Sequence, residues 1–164
     1  MSLRFRAFST LTALALTCAV SSAWAEDAIV REDSLRAMQR AELLIQQKQF
    51  KSAAAAFERA SELAGGSCPE CLLGTARAYR GAGELDAAIQ VTRMALSLSA
   101  SPDGRARAYD QLGSILTLKG DMDSARKAFQ KAVELDGRMA GQVRSSMAQA
   151  LLMRASSAAA PALQ

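Results

Sequence analysis

The residues best equipped for chemistry are Cys68 and Cys71, three apart in Cys68-Pro69-Glu70-Cys71 and directly after Gly65-Gly66-Ser67. Proline suits the first turn of a helix, where its missing N–H would find no partner anyway, so Cys68 is expected to cap a helix with Cys71 one turn on. Side chains spaced this way reach disulfide distance. Three states are open: a local structural disulfide, a redox-active pair, or two free thiols. Closing so short a loop contributes at most about 2 kcal/mol in the chain-entropy picture. A helix amino terminus lowers the pKa of Cys68 and favours a thiolate nucleophile. Glu70 opposes that ionisation with its own negative charge.

Other chemistries are thinned out by composition. The chain has no histidine, so Ser-His-Asp and Cys-His nucleophile systems, haem attachment and most zinc sites lack an essential ligand or base. No metal or other cofactor is expected. Asp121 with Asp123, and Glu84 with Asp86, resemble acid–base pairs, but each stands where a helix begins and reads as a capping acceptor. No glycine-rich phosphate loop follows a strand, and the alternating strands and helices of a thioredoxin-like domain are missing. The reading is therefore not an enzyme, with thiol–disulfide activity the one exception.

The elements that must position these residues are helices. Small residues recur in the frame Ala-x3-aromatic-x2-Ala at Ala53, Phe57 and Ala60, at Ala88, Thr92 and Ala95, and at Ala125, Phe129 and Ala132; the steps are 35 and 37 residues. Such a period marks a repeated helical hairpin. Alanine at the crossing points lets backbones approach, and Phe57, Tyr79 and Phe129 are expected to fill the wedges between successive hairpins. Ala54 lies one position off the frame and should be less constrained. Gly65-Gly66, Gly83, Gly120 and Gly137 supply breaks, and Ser101-Pro102-Asp103-Gly104 reads as a long turn between the second and third units. No strand is expected.

These units resemble tetratricopeptide repeats. The third carries Tyr109, Leu112, Gly113, Leu116, Gly120, Ala125, Phe129, Ala132 and Leu135; the second carries Leu72, Ala76, Tyr79, Gly83, Leu85, Ala88, Ala95 and Leu98. The first carries Ala41, Leu44, Phe50, Ala53, Phe57, Ala60 and Leu63, with Arg40 where leucine is usual. An outermost helix has no neighbour on one side, so a charge there costs little. The resemblance implies an all-α, right-handed α-solenoid of three hairpins with protein- or peptide-binding function. Repeats would span 34–137, at roughly 34–67, 69–102 and 106–139. A capping helix at 138–155 would follow, then a disordered, low-complexity tail at 156–164.

In that geometry the first helix of each unit lines a concave groove. Carried over by position, the lining is Met38, Glu42 and Ile45, then Leu73, Arg77 and Arg80, then Arg107, Asp110, Gln111 and Ser114, with Arg144 beside them on the final helix. Four arginines would suit an acidic or carboxylate-ended segment of a protein or peptide. The alternative is that they solvate the outside. Met139, Val143, Met147, Leu151 and Leu152 make the final helix amphipathic, either as a cap or as a soft docking face.

The amino terminus addresses the chain for export. Arg4 and Arg6, an apolar run from Ala7 to Val20, and Ser22-Ala23-Trp24-Ala25 before Glu26 make a signal peptide over 1–25 with cleavage between Ala25 and Glu26, followed by a lead-in over 26–33. The run is shorter than a membrane span requires. Removing two arginines lowers the net charge from +4 to +2, so the pI of 9.3 is poor support for nucleic-acid binding. The mature product is expected in the periplasm or secreted, where disulfides persist.

Overall fold

The computed structural model describes residues 30–159. The signal segment, its cleavage site at Ala25–Glu26 and the last residues of the tail, 160–164, lie outside the described residues. Seven helices follow one another: α1 (30–46), α2 (Phe50–Leu63), α3 (Pro69–Ala82), α4 (Leu85–Leu98), α5 (Pro102–Lys119), α6 (Met122–Leu135) and α7 (Ala140–Ala159), with a 3₁₀ turn at Gly137–Met139. Among the described residues there is no strand. The helices pair as α1/α2, α3/α4 and α5/α6. Each hairpin stacks on the next through α2 against α3 and α4 against α5, and α7 closes the stack on α5.

The repeated frame is the buried seam. Ala53, Phe57, Ala60, Ala88, Thr92, Ala95, Ala125, Phe129 and Ala132 are all buried. Thr92 stands where the other units have a phenylalanine, and its hydroxyl is satisfied by donating to the Ala88 carbonyl at 2.7 Å. Ala54 is not a free position: it is only 4% exposed and packs with Ala53 and Ala78, because the side of α2 that meets α3 is wider than one row of residues. Phe57 bridges hairpins as expected, its ring lying over Gly74 of α3. Phe129 instead packs within its own hairpin, over Gly113 of α5. Tyr79 reaches both neighbouring clusters and donates its hydroxyl hydrogen bond to Glu58 at 3.1 Å.

All three hairpin turns close alike. Gln49, Glu84 and Asp121 each donate a backbone N–H five residues back, to Leu44, Tyr79 and Leu116, the bond that ends a helix on a left-handed residue. That residue is Gly83 at φ 81° and Gly120 at φ 93°, but Lys48 at φ 59° in the first hairpin. Asp121 caps α6 by accepting from the Ser124 N–H at 3.1 Å. Glu84 makes no side-chain cap, and Asp86 pairs with Lys119 instead.

Several boundaries differ from the sequence expectation. Ser101-Pro102 is a helix start rather than a turn between units. The Ser101 hydroxyl accepts from Gly104 N–H at 3.0 Å and Pro102 opens the first turn, so the two extra residues of the period lengthen α5 at its beginning. Residues 30–33 of the expected lead-in are helical, and α7 runs through Ser156 to Ala159. Alanine keeps that low-complexity stretch helical by propensity alone. Arg40 is exposed on the uncovered outer face of the first hairpin, where its charge stays in water.

Candidate functional site

One face of α3 and the amino-terminal two-thirds of α5 form two walls of a groove, and α7 forms the third. The open space between them is 540 Å³, lined by Glu70, Leu73, Arg77 and Arg80 of α3, by Asp103, Arg107, Asp110, Gln111 and Ser114 of α5, and by Gln142, Ser146 and Gln149 of α7, with Met139 just before it. Leu73, Arg77 and Arg80 share one face of α3 because they are spaced four and three apart. The same spacing aligns Arg107, Asp110, Gln111 and Ser114. Gln111 ties the walls together, donating from Nε2 to the Leu73 carbonyl at 2.9 Å.

Most of the charge here is already paired. Arg77 reaches back to the first hairpin, where Nη2 donates to Glu42 Oε1, and its guanidinium lies 5.9 Å from the Phe57 ring centroid. Glu42 therefore flanks the groove by holding Arg77. Arg107 binds Glu70 with both terminal nitrogens, at 2.9 and 3.2 Å, and touches Asp103 at 3.2 Å. Met38 and Ile45 lie on α1, outside the lining of this cavity.

Arg80 and Asp110 differ from these pairs. Among the described residues the Arg80 side chain makes no hydrogen bond or ion pair. Burial and then the neighbouring Arg77 hold its guanidinium below the usual arginine range, while Asp110 acts in the other direction. Asp110 accepts a hydrogen bond at Oδ2 from the Ser146 hydroxyl at 2.9 Å. Its Oδ1 is buried without a partner. Burial raises the Asp110 carboxyl above its ordinary value, against the lowering influence of Ser146 and Arg80.

Arg144 is not part of the lining. It is exposed, two residues and so about 200° around α7 from Gln142. The lining stripe Gln142, Ser146 and Gln149, at i, i+4 and i+7, was visible in the sequence as a polar row beside the buried Val143 and Ala150. Glu70, considered there only as a neighbour of the cysteines, turns out to be the bidentate partner of Arg107. No local pattern announces a pair 37 residues apart.

Cys68 caps α3 as expected: its sulfur accepts from the Cys71 N–H at 3.1 Å. The Cα atoms lie 5.3 Å apart and the two sulfurs are at bonding distance. Cys71 is fully buried, whereas Cys68 is partly exposed. Among the described residues no cluster of His, Cys, Asp or Glu could hold a metal ion. No helix there is long and apolar enough to cross a membrane.

Family models of the tetratricopeptide repeat match residues 38–110 and residues 106–138, which together take in α3 and α5 of the groove and stop short of α7. The chain belongs to the tetratricopeptide repeat family. Solved structures agree on the fold of this repeat protein. The first TPR of Spaghetti (RPAP3) bound to the HSP90 peptide SRMEEVD superposes with a TM-score of 0.60 at 16% identity, covering 76% of this chain and 94% of that one. The Plasmodium falciparum putative FK506-binding protein PFL2275c, in its C-terminal TPR-containing domain, gives a TM-score of 0.57 at 14% identity over 80% and 94%. A MamA RS-1 ArsTM double mutant gives 0.55 at 22% identity over 66% of this chain and 58% of that chain. No curated protein matches this tetratricopeptide repeat sequence.

Proposed function

We propose that this repeat protein is an exported, non-enzymatic adaptor that holds an acidic segment of another protein in the groove between α3, α5 and α7. One observation carries the reading: Arg77, Arg80 and Arg107 line a single cavity together with Glu70, Asp103 and Asp110, and it is the guanidinium groups that suit carboxylates. The peptide SRMEEVD seated on a similar fold is itself rich in carboxylates and lends the reading support. Export rests on the basic, apolar and Ala-x-Ala pattern of residues 1–25. In an oxidising compartment Cys68 and Cys71 form a disulfide that staples the first turn of α3.

The test is capture from periplasmic extract. Arg77→Glu with Arg80→Glu should abolish capture with helicity intact, and raised salt should weaken the wild-type complex. Silent charge reversals would overturn the adaptor reading. Mass analysis of the exported product should find Glu26 at its amino terminus, and an intact Met1 would overturn export by cleavage.

A second reading is thiol–disulfide exchange. It is favoured by the partly exposed Cys68 at a helix amino terminus backed by the buried Cys71, with two electrons and two protons passing from the reduced pair to a partner disulfide. Reduction of a test disulfide that is lost in Cys68→Ser, together with undisturbed capture by the arginine reversals, would favour it over the adaptor role.

A further inference from the structure

Helix α7 stands as the first helix of a hairpin with no second helix among the described residues. We propose that the α7 of a second copy of this chain takes the open place, pairing the copies antiparallel about a two-fold axis. Three contacts set the register of the stack: Glu42 meets Arg77, Glu70 meets Arg107 and Asp110 meets Ser146, at steps of 35, 37 and 36 residues. The first two steps equal those between the alanine frames of α2, α4 and α6, so each contact joins like positions on successive first helices. At the last step Ile115 and Leu116 of α5 correspond to Leu151 and Leu152 of α7. Ile115 and Leu116 are buried in the cluster that α6 completes with Ala125, Phe129 and Ala132, whereas Leu151 is 38% and Leu152 72% exposed.

The uncovered face continues along the helix. Ala148, Leu151, Leu152 and Ala155 recur at i, i+3, i+4 and i+7 and share one side. All four are exposed, and they point away from the buried Val143 and Ala150. Met122 of α6, 36% exposed, extends the apolar surface and is tied to α7 by Arg154, whose Nη1 donates to its sulfur at 3.5 Å.

Charge selects the occupant. Helix α7 holds no Asp or Glu and carries Arg144 and Arg154, so a parallel pair would set each arginine against its own copy. An antiparallel pair centred between Leu151 and Leu152 sets Leu151 against Leu152 and Ala148 against Ala155, small residues that let the helices approach. It also brings Arg144 to the last turn of the other α7, where carbonyls without helical partners carry partial negative charge. A face that answers itself in this way is what an isologous contact requires. A head-to-tail contact is disfavoured, because the outer face of α1 has the exposed Arg36 and Arg40 where α3 has the buried Cys71 and Thr75, and arginines of both ends would meet. One helix pair is small beside the about 1,200–2,000 Å² of stable interfaces, so the dimer forms in the micromolar range. The side of α7 carrying Gln142, Ser146 and Gln149 stays free, and the dimer presents two grooves.

The experiment is sedimentation equilibrium of the purified protein from low to high micromolar concentration. The wild type should pass from monomer to dimer, and Leu152→Glu should stay monomeric with unchanged helicity, since that side chain is free in the monomer. Met94→Glu, at a residue 54% exposed on α4, should dimerise as the wild type does. Arg144→Glu should weaken dimerisation several-fold, and raised salt should weaken the wild-type dimer. Oxidation should cross-link copies of the double variant Ala148→Cys with Ala155→Cys and leave Ala148→Cys by itself uncross-linked. A wild type that stayed monomeric throughout, leaving the face to some other molecule, would overturn the proposal. So would Leu152→Glu dimerising at wild-type strength, or Met94→Glu losing the dimer equally, since association would then not run through α7. Cross-linking of the single Ala148→Cys variant as readily as the double one would overturn the antiparallel arrangement.

Discussion

Glu70, one of the two residues between the cysteines, holds Arg107 of the following hairpin with both carboxylate oxygens, at 2.9 and 3.2 Å. The first turn of α3 thereby sets how much positive charge the groove offers. Both partners are 46% exposed, so the pair itself contributes about 0–1 kcal/mol to stability. Glu70→Gln should leave the unfolding midpoint nearly unchanged, yet strengthen binding of an acidic peptide several-fold and steepen its salt dependence. Titrations at low and physiological salt check this. Unchanged affinity would mean that Arg107 faces no ligand.

Gly74 allows the first and second hairpins to meet. A Cβ built there would come within 2.4 Å of the Phe57 ring, and that ring is fully buried with no room to retreat. Gly74→Ala should therefore cost about 1–3 kcal/mol in urea unfolding. Gly137→Ala, with nothing within 4 Å of the added atom, should be close to neutral. Equal effects would contradict the packing.

Ala54→Leu and Ala88→Leu both insert bulk into buried seams, since Ala54 is 4% and Ala88 0% exposed. Each should lose about 1–3 kcal/mol. A harmless Ala54→Leu would show that α2 approaches α3 less closely than its burial indicates.

Lys48 occupies the left-handed turn position that glycine holds at Gly83 and Gly120. A side chain in that conformation carries strain of about 1–2 kcal/mol, partly offset by the extra entropy glycine loses on folding. Lys48→Gly should gain about 0.5–1 kcal/mol, and Gly83→Lys should lose a similar amount. Denaturant midpoints at fixed m-value are the measurement.

Asp110 gives stability a pH dependence of definite sign. Its folded carboxyl is raised above the ordinary range, chiefly by burial, so the folded state holds the proton more tightly than the unfolded chain does. The associated stability is fully present below the unfolded pKa and is lost as pH rises through the folded one. Asp110→Asn removes that loss. The variant should be more stable than wild type at neutral pH, and the advantage should vanish at about pH 3. The gain is modest because solvent reaches the groove and screens it. An advantage that persisted in acid would point to packing, not ionisation.

The sequence by itself determined the repeat, its period and the seam. Alanines and phenylalanines recurring at a fixed period fit stacked hairpins, and Cys68-Pro69 fits the start of a helix. It also marked which face of α3 and α5 carries Arg77, Arg80, Arg107 and Asp110, because helical spacing alone assigns a face. Tertiary structure decided which of those charges are spent. Glu42 answers Arg77 across 35 residues and Glu70 answers Arg107 across 37, contacts fixed by how one hairpin sits on the next. The same stacking turned Arg144 away from the groove and put Ser146 on Asp110. Periodicity reports the direction of a side chain around its own helix. The partner it meets depends on the angle between helices, which no local spacing encodes.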